Sequence, residues 1–242
     1  MDGLIDETEV WTVNIDLPIP YTRRTVALDR FALIYGANGA GVSALMGVIA
    51  QRCRHLAPRD PVIIVRGTEI LWGGAWIDVE EFIERIHMGA DDRTALALYC
   101  EQAWGSAPED WTPLPPRGWT AIRAALAATF ATSREVVQLH DLGDSLDPFR
   151  QRELYGALQR RLEARPELRI VGATHNVGMV LLADRGTPSP QLWIVQATGG
   201  QRNVCNVGFD TNERTEDIVD RILDGERADP LYWLRSFGDE GA

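Results

Sequence analysis

The chain predicts an α/β fold, a mostly parallel sheet flanked by helices, and three observations carry that prediction. Short apolar runs alternate with amphipathic segments of helical period along most of its length. One such run, Phe31 to Tyr35, passes through a glycine-rich turn, Gly36-Ala-Asn-Gly-Ala-Gly41, into a helix that resumes at Ser43. The 242 residues, 45% of them hydrophobic, suffice for one sizeable core, so a single domain over 1–242 is expected.

Taken in order, Val10 to Ile19 alternates apolar and polar residues as a half-buried strand does, and ends at Pro18 and Pro20. Thr25 to Leu28 is a second extended segment, with Asp29-Arg30 as a turn before the buried strand. The helix after the glycines runs toward His55, and Pro61 to Arg66 reads as another short buried strand. Residues 67–118 are less regular, with helices expected at Val79 to Met88 and Thr94 to Trp104 and a loop rich in Pro and Trp after them. That stretch reads as a lid or helical, irregular insertion. Regularity returns with a helix at Trp119 to Ala131, a strand at Val136 to Leu139 and a helix at Pro148 to Ala164. A strand at Leu168 to Ala173, a short helix after His175 and a strand at Gln191 to Gln196 follow. Residues 213–242 read as a helical tail, with Ile218, Val219, Ile222 and Leu223 on one face and Thr215 as its N-cap.

The turn after Tyr35 has the G-x-x-x-x-G-K-S spacing of a phosphate-binding loop, with Gly36 and Gly41 in place and Val42 in the lysine slot. Backbone N–H groups of Gly36, Asn38, Gly39, Gly41, Val42 and Ser43 would point at an anion on the helix N-terminus. The ammonium that reaches the outer phosphates is what Val42 removes. Such a loop is built to hold a phosphate and poorly built to cleave one.

Charge and composition narrow the setting. A net charge of −11 opposes non-specific nucleic-acid binding by this chain alone, leaving contact through a partner. Three well-separated cysteines, Cys53, Cys100 and Cys205, form no C-x-x-C pair and point to a reducing, cytoplasmic setting. No apolar run is long enough to span a bilayer. All 24 basic residues are arginine, so Val42 belongs to a chain-wide absence of lysine.

By its ordered segments the chain resembles the nucleotide-binding domain of ABC-type P-loop ATPases, in the branch of SMC, RecF-like and OLD-like proteins. The likeness covers Val10 to Ala50 and Trp119 to Gln196. Phe31 to Leu45 is similar to that family's IxGxNGxGKSxL segment, departing at Val42. Val136 to Pro148 looks like a Walker B strand running into a D-loop, with His140 at the magnesium-binding Asp, Asp141 at the catalytic Glu, and Ser145-Leu-Asp-Pro148 intact. Arg169 to Asn176 looks like the strand ending in the H-loop, with His175 as γ-phosphate sensor. Of the LSGGQ signature, expected near Pro116 to Thr120, only Gly118 remains.

The resemblance implies ATP and Mg²⁺ as cofactors, Asp141 and His175 as catalytic residues, and Ser43 and Asp141 as metal ligands. It implies Trp11 or Tyr21 as the adenine-stacking aromatic. It also implies a protein partner, as a hetero-complex or a dimer meeting through the nucleotide face and Asp147, with nucleic acid reached only indirectly. Three readings stay open. One is a degenerate ATPase domain that binds nucleotide and acts as a regulatory or scaffold subunit, in DNA maintenance or anti-phage defence. Another is an active ATPase in which Arg66, Arg117 or a partner's arginine replaces the lysine. The third is a nucleotide-free interaction module.

Overall fold

The structure, a computed structural model, describes residues 13–18, 21, 25–56, 62–104, 117–131, 136–185, 191–198 and 201–206. The tail at 213–242, Trp11 and the loop after Trp104 lie outside these. Along the chain come β1 (Val13–Asp16), β2 (Thr25–Leu28), β3 (Phe31–Gly36), α1 (Val42–Leu56), β4 (Val62–Arg66), β5 (Glu69–Trp72), β6 (Ala75–Asp78), α2 (Val79–Arg85) and α3 (Ala90–Trp104). They are followed by α4 (Arg117–Ala128), β7 (Val136–His140), α5 (Pro148–Ala164), β8 (Arg169–Thr174), α6 (Val177–Arg185), β9 (Gln191–Thr198) and β10 (Gln201–Asn206).

The main sheet has eight strands in the order β10-β9-β3-β8-β7-β4-β5-β6. Its centre, β9-β3-β8-β7-β4, is parallel throughout, and antiparallel hairpins close both edges. All six residues of β3 are buried, as expected of a continuous apolar run covered on both faces. One face carries Phe82, Ile122, Leu126, Leu154, Leu158 and their neighbours on α2, α4 and α5. The other packs α1, through Leu45, Met46 and Ile49, and the separate β1–β2 hairpin against Ile34, Val171 and Trp193. Each fully buried side chain of this kind contributes about 1.5–3 kcal/mol.

One polar tie crosses the second interface. Gln138, fully buried in the middle of β7, donates from Nε2 to the Met46 carbonyl of α1 at 3.2 Å. On the opposite face, Arg161 of α5 is 8% exposed and clamps the end of α4 by bonding Thr129 Oγ1 (3.2 Å) and the Thr129 carbonyl (3.1 Å). Arg165 adds bonds to the carbonyls of Thr129 (3.1 Å) and Ala131 (2.6 Å). Cationic forks at a helix C-terminus complete its orphan carbonyls and oppose its dipole.

The structure corrects the expected helical, irregular stretch at its start. Residues 69–78 are β5 and β6, which extend the main sheet, and helices begin only at Val79 and Ala90. The strands are four residues each, too short for a period to register. Gly67 (φ +57°) turns β4 into β5, and Gly73 and Gly74 (φ +59° and +89°) turn β5 into β6, backbone that L side chains rarely adopt. Strand β10 was likewise not expected.

Candidate functional site

Strand order decides where the loops converge. Because β3 lies between β8 and β9, with β7 beyond β8, the C-terminal ends of β3, β7 and β8 open on one rim. The rim of a parallel sheet at such a crossover is where ligands bind in open α/β folds.

Between β3 and α1 the loop carries Gly39 (φ +80°) and Gly41 (φ +96°) and is closed by Ala40 N–H donating to Ala37 O at 3.0 Å. Asn38, Gly39 and Ser43 are exposed. The first turn of α1 holds no acidic residue, so nothing on it offsets the positive helix end. Val42 is 3% exposed and packs inward with Leu45, Ala40 and Val195. It fills a notch left by glycine: a Cβ on Gly36 would stand 2.6 Å from Val42 Cγ2 and 2.9 Å from the Val195 carbonyl. At the lysine position, therefore, the side chain serves the core, and only its main chain belongs to the loop.

Past β7, Asp141 adopts the left-handed region (φ +55°), which Asp tolerates better than most residues, and its carbonyl accepts from Asp144 N–H at 3.1 Å. Leu142 N–H donates to Ala173 O at 2.7 Å, and buried Gln151 bonds the carbonyls of Gly143 (3.1 Å) and Leu146 (2.8 Å). The turn is thereby pinned to β8 and α5. Asp147 caps α5, accepting from Arg150 N–H at 3.0 Å, with the Arg150 guanidinium paired to its other oxygen. That main-chain bond holds the Asp147 carboxyl below its ordinary range.

Beyond β8, Thr174 Oγ1 (2.9 Å) and His175 N–H (3.2 Å) both donate to Asp144 Oδ1. His175 Nδ1 lies 2.5 Å from the Gly36 carbonyl. A carbonyl only accepts, so Nδ1 is the donor in that contact. Asp141, Asp144 and His175 have ligand atoms within 4.8 Å of one another. Two carboxylates beside a phosphate-type loop fit Mg²⁺, which takes one or two carboxylates and completes its shell with phosphate and water. Burial around Asp144 raises its carboxyl above the ordinary range despite an exposed edge, and the bonds from Thr174 and His175 oppose that rise.

His140 ends β7 in register with Arg66 of β4. It is half-buried, its Nε2 is enclosed without a hydrogen-bond partner, and burial, helped by Arg66, lowers its pKa from 6.5. The Asp141 carboxylate opposes that lowering. Arg66, Arg117, His140, Asp141 and Asp144 all line a cavity of 420 Å³ between the ends of β4 and β7 and α4.

The structure thus gathers the expected Gly36, Asp141 and His175 at one rim, and adds Asp144, which sequence reasoning missed. It also adds Arg202 of β10. Its Nε, Cδ and Cζ would lie 2.5, 2.6 and 2.8 Å from a Cβ on Gly41, so the guanidinium rests on that glycine. Arg202 also bridges in parallel register to Tyr21, with Cζ 5.8 Å from the ring centroid. Tyr21 is corrected as an adenine platform. It is 4% exposed, and its hydroxyl donates to the Gly41 carbonyl at 3.1 Å, so the residue props the loop from below.

No protein-family profile matches the chain. Among curated sequences, a protein named "Putative alcohol dehydrogenase D" of Mycobacterium tuberculosis is 31% identical over 78 residues, which is 32% of this chain and 18% of that protein. The chain thus spans less than a fifth of that relative's length. A dinucleotide-binding sheet keeps its first strand beside the next parallel strand, whereas here β8 and β7 separate β3 from β4. Solved structures show the likeness in fold. The fold is similar to the SMC head domain from Thermotoga maritima, with TM-score 0.53 at 10% identity over 82% of this chain and 98% of that one. It is similar to the ATP-binding subunit of an ABC transporter, with TM-score 0.54 at 13% identity over 88% and 99%. An SMC head bound to the C-winged helix domain of ScpA gives TM-score 0.50 at 12% identity over 86% and 99%. The chain has the ABC/SMC-like P-loop ATPase fold. Among the described residues, no helix is long and apolar enough to cross a membrane.

Proposed function

We propose that this ABC/SMC-like domain binds ATP with Mg²⁺ and turns it over slowly or not at all, serving as a regulatory or scaffold subunit in a cytoplasmic protein complex. DNA maintenance or anti-phage defence is the setting that the SMC-like fold favours, with nucleic acid met through the partner.

One observation carries the reading. The loop, its glycine φ angles and the His175 contact to Gly36 are retained, while the residue at the lysine position is buried in the core. Main-chain amides and the positive end of α1 still favour an anion there. Removing the ammonium takes away charge stabilisation of the transferring phosphoryl group, the main source of rate in this chemistry. His140 adds to the loss, because an imidazole stands where a hard oxygen ligand is expected. In this reading Asp141 and Asp144 hold the Mg²⁺ of Mg·ATP from the turn after β7, Ser43 meets it from α1, and Asn38 and Gly39 present amides at the loop's crest. Asp147, exposed at the start of α5, faces outward as a partner-contact residue of the nucleotide face.

Titration calorimetry with Mg·ATP, paired with a phosphate-release assay, tests it: binding with no turnover above background is the expected result. A second reading, an arginine-assisted ATPase, draws support from Arg66 and Arg117 lining one cavity with Asp141. Turnover that disappears in Asp141→Ala would select it over the first.

A further inference from the structure

We infer that Arg202 is the cation of this phosphate-binding loop, brought in from the sheet's edge to replace the charge that the lysine position lacks. The inference rests on the proposed binding of nucleotide at the loop.

Three contacts place the side chain. Its guanidinium lies against Gly41, the loop's last glycine, at a spot where any Cβ would collide with it. Its main chain bridges to Tyr21, whose ring stands 5.8 Å from its Cζ. Tyr21 in turn bonds the Gly41 carbonyl at 3.1 Å, so arginine, tyrosine and loop form one unit.

The chemistry fits a polyphosphate. The guanidinium offers several donors in a planar fork suited to phosphate oxygens. It remains half-exposed above a loop whose amides already favour an anion. The buried Val42 side chain brings no cation to the loop, and Arg202 comes to the same turn at Gly41. The ligand class is a nucleoside triphosphate recognised chiefly through its phosphates, so inorganic tripolyphosphate should compete for the same place.

Titrations of the wild-type chain, Arg202→Gln, Arg202→Lys and the double variant Arg202→Gln/Val42→Lys with Mg·ATP and with tripolyphosphate test the inference. The glutamine variant keeps much of the stem against Gly41 while removing the charge, and thermal unfolding checks that it remains folded. The expected result is wild-type binding, about tenfold or greater weakening for both ligands in Arg202→Gln, an intermediate value for Arg202→Lys, and recovery in the double variant. Wild-type binding that is unchanged or tightened in Arg202→Gln overturns the role of Arg202 and leaves the loop as the binding site. Absence of wild-type binding to either ligand overturns the reading beneath it as well.

Discussion

Replacing Val42 by lysine probes the loop from both directions at once. The valine is 3% exposed and sits in the notch beside Gly36, so the exchange removes one fully packed aliphatic side chain. Lysine's stem refills part of that space, but its ammonium must leave it. The loss is about 1.5–2.5 kcal/mol, near the lower end for a buried aliphatic residue. At about 2–4 °C per kcal/mol for a chain of this size, the unliganded melting midpoint should fall by about 3–10 °C. With saturating Mg·ATP present that loss is offset. A charge-assisted contact to phosphate contributes about 1.5–3 kcal/mol, which tightens ATP by about 10–150-fold. Differential scanning fluorimetry with and without ligand, alongside calorimetry, measures both halves. An unliganded variant as stable as wild type would refute the placement of Val42 in the core. A destabilised variant with unchanged ATP affinity would refute the loop's register as a phosphate site.

Two further predictions concern the same rim. Gly36→Ala should cost about 1–3 kcal/mol by overpacking against Val42 and the Val195 carbonyl. In a double-mutant cycle by urea unfolding, Gly36→Ala/Val42→Ala should be less destabilising than the sum of the single changes by about 0.5 kcal/mol or more; strict additivity would mean that the two side chains do not share that notch. Asp144→Asn addresses the raised carboxyl. Burial disfavours its charged form, so the folded state holds that proton more tightly than the unfolded state does, and the wild-type chain is penalised above the folded pKa. The asparagine variant, which can still accept from Thr174 and His175, should melt higher than wild type near pH 7.5. That advantage should shrink as the pH falls and vanish below the ordinary carboxylate value of 3.8. An advantage that instead grew toward low pH would contradict the assigned cause.

The parallel centre of the sheet was legible because its strands are continuous apolar runs bounded by turn residues, as with Phe31–Gly36 and Val136–His140. Helix α5 was legible from Asp147-Pro148, a capping carboxylate followed by proline at the first helical position. Both antiparallel edges were missed, although each has a signal. Trp72 pairs with Ala75 and Thr198 with Gln201 across two-residue links that read Gly-Gly in the sequence, a strong hairpin mark between extended runs. In β10 the side chains of Val204 and Asn206 are buried, so hydrophobicity alone did not reveal the strand. With that strand unseen, nothing linked Arg202 to a loop some 160 residues earlier, and Arg66 and Arg117 took its place as candidates. Asp144 escaped for a different reason. The aligned register assigned chemistry to His140 and Asp141, whereas the left-handed backbone at Asp141 and Gly143 folds the next carboxylate back under His175.

The amide of Gln138 makes the sheet and the loop's helix a single lever. Helix α1 begins where the anion would arrive, β7 ends at the two carboxylates, and the Nε2 bond to Met46 fastens the middle of one to the body of the other. A piston movement of α1 along its axis would therefore drag β7 with it. Such a movement would reach the strand end that carries Asp141 through the protein's interior, a second link beside the one that His175 makes between Gly36 and the carboxylates.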